Sequence, residues 1–199
     1  MNENKQWDYE TGGIPDERFI RGKVPMTKEE IRIVSLSKLR LHTTDVVLDI
    51  GAGTGSMTIE AALKVKEGKV FAVEQNLEAV QLIYQNQKLF GVENVKVVRG
   101  KAPDALRELP MIDKIFVGGT HGNMKGIFDW MEEGLTSKGR VVMNFITIEH
   151  LYQSMIEFQS RDYQNIEVIQ ISVSKGKKIN NITMMKGQNP IYIISARKE

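Results

Sequence analysis

Cysteine is absent from all 199 residues, so disulfides, thiolate metal sites and cysteine nucleophiles are excluded. The same absence suits a reducing cytoplasm, which is the compartment we expect. No apolar run approaches the ~20 residues of a membrane-spanning helix. The first ten residues are polar and acidic where a signal peptide needs a basic start and an apolar stretch. No membrane partner is expected. A surplus of charge is also missing: 27 Lys and Arg stand against 25 Asp and Glu. A net charge of +2 is too small to argue for nucleic acid as a partner. Internal repeats and low-complexity tracts are lacking as well.

What is present is an ordinary globular composition, 41% hydrophobic and 26% charged, at a length suited to one domain with a substantial core. We expect a single domain over 1–199, with an N-terminal arm over 1–25 and a C-terminal hairpin over 165–199. The arm lacks periodicity, and Gly12-Gly13-Ile14-Pro15 and Val24-Pro25 break any regular element. It needs the rest of the chain, or a neighbour, to order it. Thr27-Lys28-Glu29-Glu30 then carries a capping-box signature, with Thr27 as the cap of a helix whose buried stripe begins at Ile31 and Val34.

From residue 45 strands alternate with helices. Residues 46–50 form a short, almost continuous apolar run, as expected of a strand buried on both faces. A tight glycine turn follows, then a helix over 56–66 and a second strand over 69–74. Asn76 caps a helix carrying Val80, Ile83 and Tyr84 and ending at Gly91. Further strands are expected at 95–98, 115–117 and 140–145, with helices in the intervals, one of them starting near Pro103. This alternation implies a parallel sheet. In the C-terminal third, 165–174 alternates with one phase slip, a basic connecting stretch follows, and 191–194 is the last strand. Two strands joined without a helix pair antiparallel. The expected fold is therefore α/β and doubly wound, a mostly parallel seven-stranded sheet with a C-terminal antiparallel hairpin, the layout of the class I methyltransferases.

The sharpest chemistry lies in Asp49-Ile50-Gly51-Ala52-Gly53-Thr54-Gly55. Glycines let the backbone turn tightly and approach a ligand at the carboxyl end of the first strand. Glu74 ends the second strand, 19 residues after Gly55, where a carboxylate can accept both hydroxyls of a ribose. Asp49 and Glu74 would then bracket a cofactor across adjacent strand ends. A dinucleotide site wants Gly-x-Gly-x-x-Gly, and here Ser56 stands in its last place. The pattern resembles instead the S-adenosylmethionine motif of methyltransferases, with an oxidoreductase as the competing reading. After the fourth strand come Val117-Gly118-Gly119-Thr120-His121, which offer room and, His121 apart, no acid or base. His121 reads as a surface loop residue, and no catalytic residue is assigned.

The chain resembles the decarboxylating cobalt-precorrin C15-methyltransferases of anaerobic cobalamin biosynthesis from Gly13 onward. The resemblance rests on Gly13-Ile14-Pro15-Asp16-Glu17-Arg18-Phe19, Lys23-Val24-Pro25-Met26-Thr27, the glycine turn, Gly100-Lys101-Ala102-Pro103, the Gly118-Gly119-Thr120 turn, and Thr183-Met184-Met185 before Asn189-Pro190. It implies that Thr27, Gly51, Ala52, Gly53, Thr54, Gly55, Glu74 and Ala102 contact S-adenosylmethionine. Lys101 stands where an acid is usual, although a backbone contact from Ala102 survives that change. The implied reaction methylates carbon 15 of cobalt-precorrin-6B and removes the acetate carboxyl on carbon 12, giving cobalt-precorrin-7. Cobalt belongs to this tetrapyrrole substrate, and no protein metal site is expected. Arg18, Arg21, Lys23, Lys175, Lys177 and Lys178 are candidates for a basic rim around its carboxylates. A methyltransferase acting on tRNA or protein is the alternative, and a non-catalytic cofactor-binding module a second one. The apolar load of the hairpin and its connector, Ile179, Ile182, Met184 and Met185 included, points to a homo-oligomer. Its size, a tetramer, is implied by the resemblance alone.

Overall fold

The computed structural model describes residues 7–120 and 122–199. Its strands carry apolar residues in both phases because helices cover both faces of one sheet. In β1 (Val46–Ile50), Leu48 and Ile50 face one apolar cluster and Val47 the other. The same division holds for β2 (Lys69–Glu74), β4 (Ile112–Val117) and β5 (Leu135–Phe145). With β3 (Val95–Arg99), β6 (Tyr163–Ile171) and β9 (Ile191–Lys198) they form seven strands in the order β3-β2-β1-β4-β5-β9-β6. Pairings among β1 to β5 are parallel, whereas β9 runs antiparallel to both β5 and β6. The doubly wound expectation and its antiparallel end both hold.

Three helices, α1 (Glu29–Leu39), α2 (Ser56–Lys64) and α3 (Leu77–Phe90), pack on one face; α4 (Met124–Gly134) and α5 (Ile148–Gln159) pack on the other. Asn76 caps α3 as expected, its side chain accepting from Glu78 N and Ala79 N, and Gly91 ends it in a left-handed conformation.

Four expectations need correction. The interval between β3 and β4 holds a single 3-10 turn, Asp104–Leu106, instead of an α-helix at Pro103, because residues 100–111 have to carry the chain back past β2 and β1, which leaves too few for a full helix. The connector between β6 and β9 is itself a two-stranded hairpin, β7 (Ser174–Ile179) and β8 (Ile182–Gly187). The phase slip in 165–174 reflects two apolar faces: Ile166 joins one cluster, and Ile169, Ile171 and Val173 join the other. The register shift lies earlier, between Gln164 and Glu167, beside Asn165 at φ 52°. Finally, Thr27 does not cap α1. Glu29 N donates instead to Asp16 Oδ1 at 3.0 Å, so the arm supplies the cap.

The arm is ordered by a buried ion pair. Arg32 of α1 and Glu60 of α2 are both almost fully buried and meet at 2.8 Å. Glu60 also accepts Gly13 N at 2.8 Å and Ile14 N at 3.1 Å. Arg32 donates further to Asp16 Oδ1, Thr27 O and Ile14 O. Farther along, Asn86 of α3 exchanges two hydrogen bonds with Ile20 and donates to Thr54 O at 2.9 Å. Ile14 and Phe19 then fill the core beside α1 to α3. Replacing Arg32 by Leu leaves Glu60 charged and the arm's carbonyls unpaired, a loss of about 3–5 kcal/mol. Urea unfolding should register it, together with faster proteolysis inside 13–27. A variant as stable and as resistant as wild type would show that apolar contacts alone seat the arm.

Candidate active site

β1 runs into its glycine turn at the carboxyl edge of the sheet, where the backbone has to fold back within a few residues. Gly51 and Ala52 both donate to Val73 O, which ties the turn to β2. Gly51 lies at φ 74°, and a Cβ there would come within 2.9 Å of Gly119 N. At Gly53, φ 56°, a Cβ would meet Pro25 O at 2.9 Å. The turn is thus closed in by the Gly118-Gly119 loop on one side and by the arm on the other. Gly55 begins α2 and abuts Ile83 of α3.

Glu74, at the end of β2, is almost completely buried. Its Oε2 accepts Gly53 N at 2.9 Å and its Oε1 accepts Asn76 N at 2.8 Å. Each carboxylate oxygen keeps further acceptor capacity, and the residue lines a cavity of about 880 Å³. That cavity follows the carboxyl edge of the sheet from β2, past β1 and the β4 loop, to β5 and the start of β9.

Of the residues singled out from the sequence, Thr27, Gly51, Ala52, Gly53 and Glu74 line this cavity together. Ala102 lies in a side cleft that shares Gly51, Glu74, Gln75 and Gly119 with it. Thr54 and Gly55 sit behind the turn; Thr54 is buried with its hydroxyl unpaired. Asp49 does not bracket the cavity opposite Glu74. Its side chain turns under the sheet edge, where Oδ2 accepts Thr58 Oγ1 at 2.5 Å and Oδ1 has no partner. Burial pushes its pKa up to about 7; the Thr58 bond opposes this and the Glu74 charge adds to it.

The basic rim also differs from the expected one. Lys23 lines the cavity, but Arg18, Arg21, Lys175, Lys177 and Lys178 do not. Lys28 and Lys186 take their places, and Lys175 is bound to Glu30 at 2.7 Å. The reading of His121 falls outside the described residues. Sequence reasoning missed Asn144, Phe145 and Ile146, which line the cavity at the end of β5. The rule that ligands sit at the carboxyl ends of parallel strands could have found them. Among the described residues, no helix is long and apolar enough to cross a membrane.

A parallel sheet with one antiparallel strand inserted next to its edge, and a glycine turn at the end of its first strand in the chain, is the class I methyltransferase arrangement. The crystal structure of precorrin-6Y C5,15-methyltransferase from Geobacter metallireducens matches this fold with a TM-score of 0.90. The two are 38% identical, with 96% of this chain and 100% of that one covered. Residues 18–198 match the precorrin methyltransferase domain, and the chain belongs to that family. A probable cobalt-precorrin-6B C(15)-methyltransferase (decarboxylating) of Pyrobaculum calidifontis is 45% identical over 193 residues, 96% of this chain and 98% of its own. The cobalt-precorrin-6B C(15)-methyltransferase (decarboxylating) of Salmonella typhimurium is 36% identical over 187 residues, 94% of this chain and 96% of its own.

The raised pKa of Asp49 carries a pH signature. Its ordinary value is 3.8 and its folded value about 7, so between these the folded protein holds a proton that the unfolded chain gives up. The resulting stability is complete below about pH 4 and is lost as pH rises through about 7. Asp49→Asn cannot titrate. Its stability relative to wild type, from urea unfolding without ligand, should therefore improve by a few kcal/mol, about 4 at most, between about pH 4.5 and 8. Parallel pH profiles for the two proteins would place the Asp49 pKa near that of an exposed carboxylate.

Proposed function

We propose that this protein transfers a methyl group from S-adenosylmethionine to carbon 15 of cobalt-precorrin-6B, with loss of the acetate carboxyl on carbon 12, giving cobalt-precorrin-7. The observation that carries this reading is a continuous cavity along the sheet edge, with a glycine turn and carboxylate at one end and apolar side chains at the other. Its volume lies toward the upper end of small-molecule sites. The family's relatives bear the names of that reaction.

The residues at the β1–β2 end fit the cofactor. Glu74 has free lone pairs for two ribose hydroxyls and is held in place by two backbone amides. Gly51, Ala52 and Gly53 keep the cradle clear of side chains, and Thr27 and Ala102 complete its borders. Thr54 and Gly55 support the turn from behind. S-adenosylmethionine supplies a methyl group that is already electrophilic on its sulfonium sulfur. Gly118 and Gly119 leave room between the two ends of the cavity, and Phe145, Ile146 and Val173 give the far one apolar lining. No side chain needs to act as acid or base at the methylated carbon. Holding two competent reactants in line can supply about 7–11 kcal/mol of the barrier.

Mass spectrometry of cobalt-precorrin-6B incubated with the protein and S-adenosylmethionine tests the reaction: the product should gain one methyl and lose carbon dioxide. By calorimetry, Glu74→Ala should bind the cofactor at least about tenfold more weakly than wild type, the worth of a charge-assisted hydrogen bond. An unmodified tetrapyrrole from active wild type rejects the reaction, and unchanged affinity removes Glu74 from the site.

We further infer that arm and sheet make one domain, that it works in the cytoplasm, and that it assembles as a homo-oligomer, a tetramer. The assembly is supported by β7 and β8, whose residues are exposed throughout. A lone two-stranded hairpin is marginal in water, and this one presents Ile179, Ile182, Met184 and Met185 to solvent. Closed symmetry would cover those residues and the hairpin edges. Sedimentation equilibrium should give a multiple of 22.6 kDa. A monomer mass overturns the assembly, and a dimer overturns the tetramer.

A further inference from the structure

The far end of the cavity is lined by Phe145, Ile146, Val173 and Ile191 and by four polar side chains, the neutral Gln188 and Asn189 and two others. One is Asn144, near the end of β5, half-buried among Phe145, Ile146 and Ile191, which line the same space. Its amide is held by Ser35 of α1. Ser35 Oγ donates its proton to Ile31 O at 2.7 Å, and a hydroxyl has only one proton to give. Towards Asn144 it is therefore an acceptor, taking Nδ2–H at 2.9 Å. The 3.2 Å approach of Ser35 Oγ to Asn144 Oδ1 is a consequence of the amide lying edge-on. This fixes which way the amide is turned and leaves its second Nδ2 proton for a ligand.

The second is Lys186, at the root of the β7–β8 hairpin, the charged member of the four. It sits opposite Lys175 in the hairpin register, and two ammonium groups so placed repel. Glu30 of α1 removes the conflict by pairing with Lys175 at 2.7 Å, which also ties the hairpin to the helix. Lys186 is left uncompensated. Lys28, also on the cavity wall, has Asp16 at 3.6 Å. Lys23 belongs to the cofactor end, next to Gly22, which packs against Glu78. Among the described residues lining the far end, Lys186 is the cation without an ion-pair partner.

A fixed amide donor and a free ammonium on an apolar wall make a site for a carboxylate. Resting on the reaction proposed above, we propose that Asn144 and Lys186 seat a side-chain carboxylate that the tetrapyrrole keeps, and that the departing carboxylate lies against the apolar wall. The distinction follows from charge. In decarboxylation the bond to the carboxyl carbon breaks, carbon dioxide leaves, and the electron pair stays on the macrocycle. The carbon left behind takes up the proton that the methylated ring carbon gives up. The leaving carboxylate loses its charge on the way, so an ion pair to it would stabilise the ground state and slow the reaction. An ion pair to a retained carboxylate has no such effect and fixes where the ring sits.

Lys186→Gln and Asn144→Asp test the subsite, with Lys186→Arg as the conservative partner. The first two should each raise KM for cobalt-precorrin-6B by about tenfold, with kcat within about twofold. Affinity for S-adenosylmethionine should be unchanged, and each turnover should still add one methyl for each carbon dioxide lost. Lys186→Arg should stay within about threefold of wild type in KM. Wild-type conversion of the same compound is the separate check on the reaction itself. If wild type converts it and both variants keep the wild-type KM, the subsite is wrong and the reaction stands. A parallel fall in cofactor affinity would make the two residues structural. A methylated product that retains all its carboxylates would mean that the held carboxylate is the leaving one.

Discussion

The site depends on a buried ion pair that touches no ligand. Arg32 and Glu60 lie between α1 and α2, and their remaining hydrogen-bonding groups serve the backbone of the arm at Gly13, Ile14 and Thr27. An isolated ion pair at that depth would be no better than two apolar residues of the same volume. Its value here is positional. Residues 13–27 have no strand or α-helix of their own, so their amides and carbonyls need partners from elsewhere. The pair supplies those partners at one end of the arm, and Asn86 supplies them at the other by joining Ile20 to Thr54. The segment between them is thereby laid over the glycine turn, with Pro25 O close enough to Gly53 to forbid a side chain.

A second consequence concerns how the cavity divides. The end near β1 and β2 is built from short-range features: a turn, the carboxylate at the end of the next strand, and two amides that hold it. The far end is assembled from β5, the root of the β7–β8 hairpin and the start of β9, joined through α1 by the Ser35–Asn144 and Glu30–Lys175 contacts. α1 thus serves both ends at once. Its first turn receives the arm, and its exposed side anchors the hairpin. A methyl donor and a large acceptor have to be aligned within a few tenths of an ångström for transfer, and a single helix that references both is a rigid way to do so.

Much of the fold was legible in the chain. Residues 46–50 read as a strand buried on both faces and 69–74 as the next strand, and the loss of helix–strand alternation from residue 165 announced the antiparallel end. Where the reading failed, local signals were ambiguous or overruled. The capping-box pattern at Thr27 is a valid local preference, yet Asp16, brought in by the arm, reaches Glu29 N first. Pro103 suits a helix start, but β3 and β4 are joined across too short an interval for one. The hairpin of β7 and β8 has no apolar alternation because neither face is buried, so periodicity had nothing to detect.

What the sequence determined by itself is therefore what neighbouring residues can express: strand phase, helix caps within one element, the glycine turn and the carboxylate that ends β2. These depend on spacings of a few residues and on the covering of both sheet faces. Tertiary structure alone decided that Arg32 and Glu60 would be buried together, that Asp49 would turn beneath the sheet instead of into the cavity, and that Asn144 and Lys186 would share a wall. Arg32 stands four residues before the buried Leu36, and Glu60 between the buried Ile59 and Ala61, so each reads alone as a charge misplaced on an apolar helix. Only the fold brings them together, because a charge in a low-dielectric interior is tolerated where its partner and the unpaired backbone around it arrive from distant parts of the chain.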